Sequence, residues 1–399
     1  MRIAYISLHW PRPLSSGVGK KIAQQITLWR EAGHQAQFFM HTHPFPATEP
    51  QVLGDYFIYM LGKGLFGAAR REATRSAAML RLLKAVQAYH PDIIFLRLGM
   101  YVFPAERLAS IAPVAAEINT NDVQQHQLIG KFLHTYNLLT RSILLSRARG
   151  LVCASHELAA IDEFTRFHKP TLVIGNGYNL ADVQPLAAPH NPVPRLLFVG
   201  SPDSHWHGVD KLPAFARSFP DLEIDLVGYD AIPGEPVPGN LQPQNLRPQN
   251  LRLHGYLRGP AYQAVLQSAD AAFGSLGLHR IGLREASPLK TRECLAYGLP
   301  LIIPYQDTDL DGVQSETLLR IPNQEDNLVT HGQAVHDFAW RVQGKRVERQ
   351  LIAPLDWREK ERARLEFFDT LIHPPPPTDP PDRRHPFIPS SYNPGPDRR

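Results

Sequence analysis

The chain has 399 residues, 43% of them hydrophobic and 20% charged, with a formal net charge of +4. That length suits two domains at about 100–200 residues each, and the composition is that of a globular protein rather than a disordered or fibrous one. The basic excess is too small to mark a nucleic-acid binder, so no nucleic-acid partner is expected. No uninterrupted apolar run reaches the ~18 residues a membrane-spanning helix needs. The opening apolar run breaks at His9 and Pro11, short of a secretory signal. The two cysteines, Cys153 and Cys294, stand in apolar surroundings and read as buried free thiols, which fits a reducing compartment. The expected location is the cytoplasm, with contact at a membrane surface left open.

Taken in chain order, Arg2 to Leu8 is a branched apolar run of the kind that forms a buried parallel strand. A Pro/Gly/Ser loop follows, and Ile22, Ile26 and Trp29 recur at helical spacing between Lys20 and Ala32. Gly33 stops that helix, and Ala36 to Met40 resumes as a strand, completing a βαβ unit. Further strands are expected at Asp92–Leu98, Val114–Asn119, Leu151–Ser155 and Thr171–Ile174. Prolines 185, 189, 192 and 194 mark residues 186–194 as a linker between a domain over 1–185 and a second over 195–372. The second alternation places strands at Leu196–Val199, Ile224–Val227, Ala271–Ser275 and Leu301–Pro304, and a helix at Val209–Phe219. The pentapeptide echo NLQPQ, NLRPQ, NLRLH reads as a surface loop, and the Pro-rich segment 373–399 as a disordered tail. Strands alternating with helices imply parallel sheets covered on both faces, here twice over.

Two segments carry candidate chemistry. Gly17-Val-Gly19-Lys20 follows a strand and opens a helix, where glycines let a backbone approach a phosphate. It lacks the residues of a P-loop and the third glycine of a dinucleotide fingerprint, and a plain strand-to-helix turn is the competing reading. In Glu285-Ala-Ser-Pro-Leu-Lys-Thr-Arg-Glu293, Pro288 suits a first helical turn, while Gly298 and Pro300 suit its end. A helix starting near Ser287 at a sheet's C-terminal edge would offer its N-terminus, with Ser287, Leu289 and the Lys290 charge, to a diphosphate. Glu293 would then accept from ribose hydroxyls, and Glu285 would reach another part of the ligand. Two solvated carboxylates on a surface helix is the plainer alternative.

These motifs, in order, resemble retaining glycosyltransferases of family four. The resemblance runs from Met1 to about Ile372, through IAYISLHWPRPLSSGVGKKIAQQITLWREAGHQAQFF, HPDIIFLR, VIGNGYNL, LLFVG, LRLHGYL, ADAAFGSL and EASPLKTRECLAYGLPLII, whose paired glutamates are separated by seven residues. It implies the GT-B fold: α/β, two Rossmann-like doubly wound domains facing each other across a cleft, with the donor held mainly by the second. It implies that Glu293 binds the ribose, Glu285 the sugar, the Ser287–Lys290 turn the diphosphate, and Gly17 and Gly19 the phosphates or acceptor. Catalysis would be front-face, retaining and metal-independent, with a nucleotide diphosphate sugar as co-substrate, no cofactor, and a closing C-terminal helix over Trp357–Phe368.

The sequence departs from that family at two places. Ser201 and His207 stand where an arginine and a lysine usually meet the donor phosphates; Lys290, Arg280 or Arg284 would supply the missing charge, with His207 helping. In the first domain a histidine is usual where this chain has Glu117-Ile-Asn119, so Glu117 or Asn119 is the candidate catalytic contact to sugar or acceptor. Arg97, ending an apolar strand, and Arg280 are candidate ligands for a phosphate or acceptor anion. Asp307, Asp309 and Asp311 have a metal-binding look, but their place after the glutamate helix suits a loop, and no metal is assigned; His41 and His43 lack further zinc ligands. The basic–apolar stretches around Lys63–Lys84 and Lys131–Arg149 read either as core-facing helices or as membrane-surface contacts for a lipid-linked acceptor. The expected activity is hexosyl transfer to a hydroxyl on a surface polysaccharide, lipid-linked sugar or other glycan. The rivals are a nucleotide-sugar epimerase or phosphorylase on the same fold, and a degenerate sugar-nucleotide binding subunit.

Overall fold

The structure, a computed structural model, describes residues 1–8, 17–44, 54–202, 204–233 and 248–374. Part of the glycine loop, most of the pentapeptide echo and nearly all of the Pro-rich tail lie outside the described residues. In chain order the elements are β1 (Arg2–Ser7), α1 (Gly17–Glu31), β2 (Gln35–Thr42), β3 (Gly54–Ile58), α2 (Gly64–Tyr89), β4 (Ile93–Arg97), β5 (Val114–Ile118), α3 (Asp122–Ile129), α4 (Lys131–Leu145), β6 (Gly150–Cys153), α5 (His156–Ala160), α6 (Asp162–Thr165) and β7 (Thr171–Val173). They continue with β8 (Arg195–Val199), α7 (Leu212–Ser218), β9 (Glu223–Val227), β10 (Leu251–Leu253), α8 (Gly259–Ser268), β11 (Ala271–Phe273), β12 (Glu285–Ala286), α9 (Leu289–Ala296), β13 (Leu301–Ile303), β14 (Gln306–Asp307), β15 (Leu318–Arg320), α10 (Asn327–Thr330), α11 (Gly332–Val342) and α12 (Trp357–Ile372). They form two compact units, Met1–Gly175 with the segment from Trp357 onward, and Asn176–Asp356.

The first unit is a parallel sheet in the order β3-β2-β1-β4-β5-β6-β7. Its central strands are apolar on both faces: Ile3, Ala4, Tyr5 and Ile6 are buried, as are Ile93 to Leu96. Both faces therefore need helices. Ile22, Ile26 and Trp29 turn α1 onto one face, and Met79, Leu82 and Val86 turn α2 onto the other.

The C-terminal helix α12 belongs to this first unit, whereas the sequence reading grouped it with the second domain. Its apolar face, Phe367, Phe368 and Leu371, joins the same core as Tyr5, Trp29 and Phe95. Trp29 Nε1 donates to Glu361 Oε2 at 2.7 Å, and Gln25 Nε2 donates to Glu361 Oε1 at 3.2 Å. A Cβ at Gly150 would lie 2.9 Å from side-chain carbons of Leu371 and Phe367, so the start of β6 needs glycine for the helix to seat.

The second unit is also a parallel sheet, in the order β10-β9-β8-β11-β13-β15, with a separate short ladder of β12 on β14. The segment expected as a linker is packed into this unit: Leu186 N donates to Tyr297 O at 2.9 Å, and Asn191 Nδ2 to Asp270 Oδ2 at 2.8 Å. Prolines suit such a strap because they bring no N–H that must be paired. The end of the pentapeptide echo is likewise not loop: Leu251–Leu253 is the edge strand β10, with Leu251 opposite Ile224 of β9.

Candidate functional site

In both sheets the connections reverse direction once, between β1 and β4 in the first and between β8 and β11 in the second. In open α/β sheets the crevice beyond the strand ends at such a reversal is the place where ligands bind.

In the second unit the loop after β8 carries Ser201 and His207. Gly228, at φ +92°, would place a Cβ 2.0 Å from Gly200 O, so glycine there lets the loops after β8 and β9 close on each other. Tyr229 reaches across: its hydroxyl donates to Ser201 O at 2.7 Å and lies 2.8 Å from His207 Nδ1. His207 Nδ1 is also approached by Ser201 N at 3.4 Å, so this ring nitrogen is held between the Tyr229 hydroxyl and the Ser201 backbone. His207 O and Trp206 O accept from Leu276 N and Gly277 N, which fixes this loop to the one after β11.

Helix α9 begins beside them. Pro288 caps it with extended backbone, so the first N–H groups have no partner within the helix. Ser287 is fixed from outside, its Oγ accepting from Asn176 N at 2.9 Å and its carbonyl from Asn176 Nδ2 at 2.8 Å. Leu289 and Lys290 form the first turn. The Lys290 Nζ is buried with no hydrogen-bond partner and sits 4.0 Å above the Phe198 ring. Burial pulls its pKa down to about 7. An anion beside this amine would favour its charged form.

One turn on, Glu293 Oε2 accepts from Tyr262 Oη at 2.8 Å and Oε1 from Tyr178 Oη at 3.4 Å. Burial and the facing carboxylate raise both tyrosines. Neither tyrosine was identified from sequence, although Tyr178 lies in the quoted VIGNGYNL; nothing in spacing links either to Glu293. Glu285 is buried at the start of β12, opposite Gln306 of β14.

Three charged candidates have other partners. The Arg280 guanidinium is held by Asp210, at 2.7 and 2.8 Å, and by Glu325. Asp307 and Asp309 face Arg292, whose side chain is fully buried: Asp307 accepts at 2.5 and 2.8 Å and Asp309 at 2.7 Å. Arg292 Nε also donates to Asn176 O at 2.7 Å, which ties the segment at Asn176 to α9. Among the described residues no group of three or more His, Cys, Asp or Glu is placed to hold a metal.

In the first unit Glu117 does not line the pocket. It is 3% exposed at the end of β5, and Tyr5 Oη donates to its Oε2 at 2.9 Å, Arg97 donates to the same oxygen at 3.1 Å, and Lys21 Nζ stands 2.8 Å from Oε1. Burial would raise its pKa, but Lys21 and Arg97 outweigh that and hold it far below the usual carboxylate range. The same burial lowers Lys21, while Glu117 keeps Arg97 firmly charged. Glu117 is thus the counter-ion that positions Arg97 and Lys21. Asn119, which accepts from Lys21 Nζ at 3.1 Å, and Arg97 do line a pocket of about 730 Å³ beyond the ends of β4 and β5. Gly17 is exposed and Gly19 buried in the first turn of α1. Asn121 caps α3 by accepting from Val123 N and Gln124 N, and Asp122 pairs with Arg141. Cys153 and Cys294 are buried free thiols, pushed up to about 12 by burial.

No protein-family model matches the chain, and no curated protein matches it in sequence. Solved structures do match. Sucrose-phosphate synthase from Thermosynechococcus elongatus is similar with a TM-score of 0.65 at 19% identity, over 93% of this chain and 98% of that one. The fold is GT-B. The lipopolysaccharide outer core galactosyltransferase WaaB is similar with a TM-score of 0.57 at 12% identity, over 93% and 99%. HepE of Anabaena, in complex with UDP-glucose, gives 0.55 at 12% identity, over 93% and 100%. No helix among the described residues is long and apolar enough to cross a membrane.

Proposed function

We propose that this chain is a glycosyltransferase, akin to the retaining family-four enzymes, that moves a hexose from a nucleotide diphosphate sugar to a hydroxyl acceptor without a metal ion. The observation that carries the reading is the first turn of α9: a buried Lys290 amine with no hydrogen-bond acceptor, at a helix start with no side-chain cap, one turn from a carboxylate held by two tyrosines. A diphosphate at the helix start would satisfy the ammonium and the N–H groups together. Glu293, oriented by Tyr178 and Tyr262, would accept from ribose hydroxyls, and Glu285 would meet the sugar. Ser287 and Leu289 shape the turn, and Ser201 and His207 border it. Gly17 and Gly19 would approach the phosphates or the acceptor, and Asn119 the sugar or acceptor.

The chemistry asked of these groups is positioning and stabilisation of charge on the leaving diphosphate. Lys290 takes the place of the basic residues that Ser201 and His207 do not supply; Arg280, held by Asp210 and Glu325, is left out of the phosphate ligands. The similarity to a galactosyltransferase and to a protein crystallised with UDP-glucose supports a sugar-nucleotide donor. The proposed setting is cytoplasmic, with peripheral contact at a membrane that presents the acceptor.

The test is product analysis after incubation with radiolabelled UDP-, GDP- and ADP-hexoses and candidate glycan or lipid-linked acceptors. A new glycoside with the donor's anomeric configuration supports the reading. A changed sugar still on its nucleotide, or a sugar phosphate, would assign an epimerase or a phosphorylase instead. Donor binding with no product across the acceptors would favour a binding subunit.

A further inference from the structure

The pocket of the first unit is basic on one side and apolar on the other. Arg71, Arg75 and Arg97 line it, as do Leu61, Ile129 and Leu133. The charges do not cancel. Arg71 and Arg75 share one carboxylate, Glu72, at 3.1 and 2.7 Å. Arg97 and Lys21 share Glu117. Each cluster therefore keeps one positive charge in excess. Asp122, also on the lining, is neutralised by two hydrogen bonds from Arg141, at 2.7 and 2.8 Å. On the apolar side, Leu61 is 63% exposed and Ile129 is 59% exposed, so the lining spends hydrocarbon surface on water.

Guanidinium groups are matched to phosphate oxygens, and two surplus charges match one phosphate group. The uncovered leucine and isoleucine match a hydrocarbon chain attached to it. We propose that this pocket binds an acceptor bearing a phosphate group joined to an apolar tail, a lipid phosphate, with Arg97 aimed by Glu117 and with Arg71 and Arg75 as its anion ligands. The acceptor role rests on the transferase reading above; the phosphate-plus-tail chemistry rests on the pocket.

The test titrates the full chain calorimetrically with decyl phosphate below its micellar concentration, with decyl maltoside, with inorganic phosphate and, separately, with UDP. The variants are Arg71→Ala/Arg75→Ala and Leu61→Gln/Ile129→Gln, with Arg97→Gln as a third. Decyl phosphate is expected to bind at least about tenfold more tightly than decyl maltoside or inorganic phosphate, and each variant to lose about tenfold. The first two variants are expected to keep wild-type UDP affinity. Equal binding of decyl maltoside, equal binding of inorganic phosphate, or unchanged affinity in the first two variants would overturn the proposal. UDP binding without decyl phosphate binding would sink this inference and leave the transferase reading standing. Decyl phosphate binding without UDP binding would do the reverse.

Discussion

The Nζ of Lys290 lies 4.0 Å from the centre of the Phe198 ring, buried and without a hydrogen-bond acceptor. Its folded-state pKa is lowered to about 7 by burial, from 10.5. Between these values the unfolded chain binds more protons than the folded one, so this residue makes stability rise with pH from about 7 to about 10. A bound diphosphate favours the ammonium form and reverses the shift. Nucleoside diphosphate binding at pH 8 is therefore expected to take up a proton, seen as a buffer-dependent enthalpy in calorimetry. Lys290→Met should abolish the uptake and weaken binding by at least about tenfold. Equal enthalpies in buffers of different ionisation heat would contradict this placement of the charge.

Tyr262 and Tyr178 hold Glu293 from the side of the fold. Tyr262→Phe removes a 2.8 Å hydrogen bond to a carboxylate and should weaken UDP binding by about tenfold. Inorganic pyrophosphate carries no ribose, so its binding should be unchanged in the same variant. A parallel loss for both ligands would mean that the tyrosine acts on the helix as a whole.

Arg292 and the aspartates 307 and 309 form a buried ion cluster. Asp307→Ala removes two of the three carboxylate hydrogen bonds to the buried guanidinium, leaves only Asp309 as its carboxylate partner, and should destabilise the second unit by about 1.5–3 kcal/mol, read from urea denaturation. Mg²⁺ or a chelator should leave the wild-type melting temperature unchanged. A metal-dependent rise in melting temperature, lost in Asp307→Ala, would reassign these carboxylates.

Glu117 is expected to matter for stability rather than as a contact to substrate. Glu117→Gln leaves the buried Lys21 and Arg97 without their shared carboxylate, at about 3–5 kcal/mol. Because its folded pKa lies below the unfolded value of 4.5, its contribution is complete above that value and is lost as pH falls below it. The difference in stability between wild type and Glu117→Gln should therefore shrink as the pH is lowered from 6 through 4, tracked by urea midpoints.

The parallel strands were legible because strands buried on both faces read as continuous branched apolar runs, as in Ile3–Ile6 and Ile93–Leu96. Helix α9 was legible from Pro288 and Gly298. What escaped depends on partners distant in sequence. The edge strand β10 hides in the pentapeptide echo because only its neighbour β9 gives Leu251 a register. Helix α12 joins the first unit through Glu361, Trp29 and the space above Gly150. The spacing of Asp307 and Asp309 suits a metal as well as an arginine, and only the fold supplies Arg292. Glu117 was read as a cleft residue from its place at a strand end, but Lys21 arrives from α1 to cover it.

The most direct test of the central claim is a calorimetric titration of UDP, GDP and ADP into the wild-type chain, Lys290→Met and Glu293→Ala, with and without Mg²⁺. Binding of one nucleotide, independent of Mg²⁺ and weakened at least about tenfold in both variants, is the predicted result. Binding that survives both substitutions, or no binding by any of the three, would contradict a donor site at the start of α9.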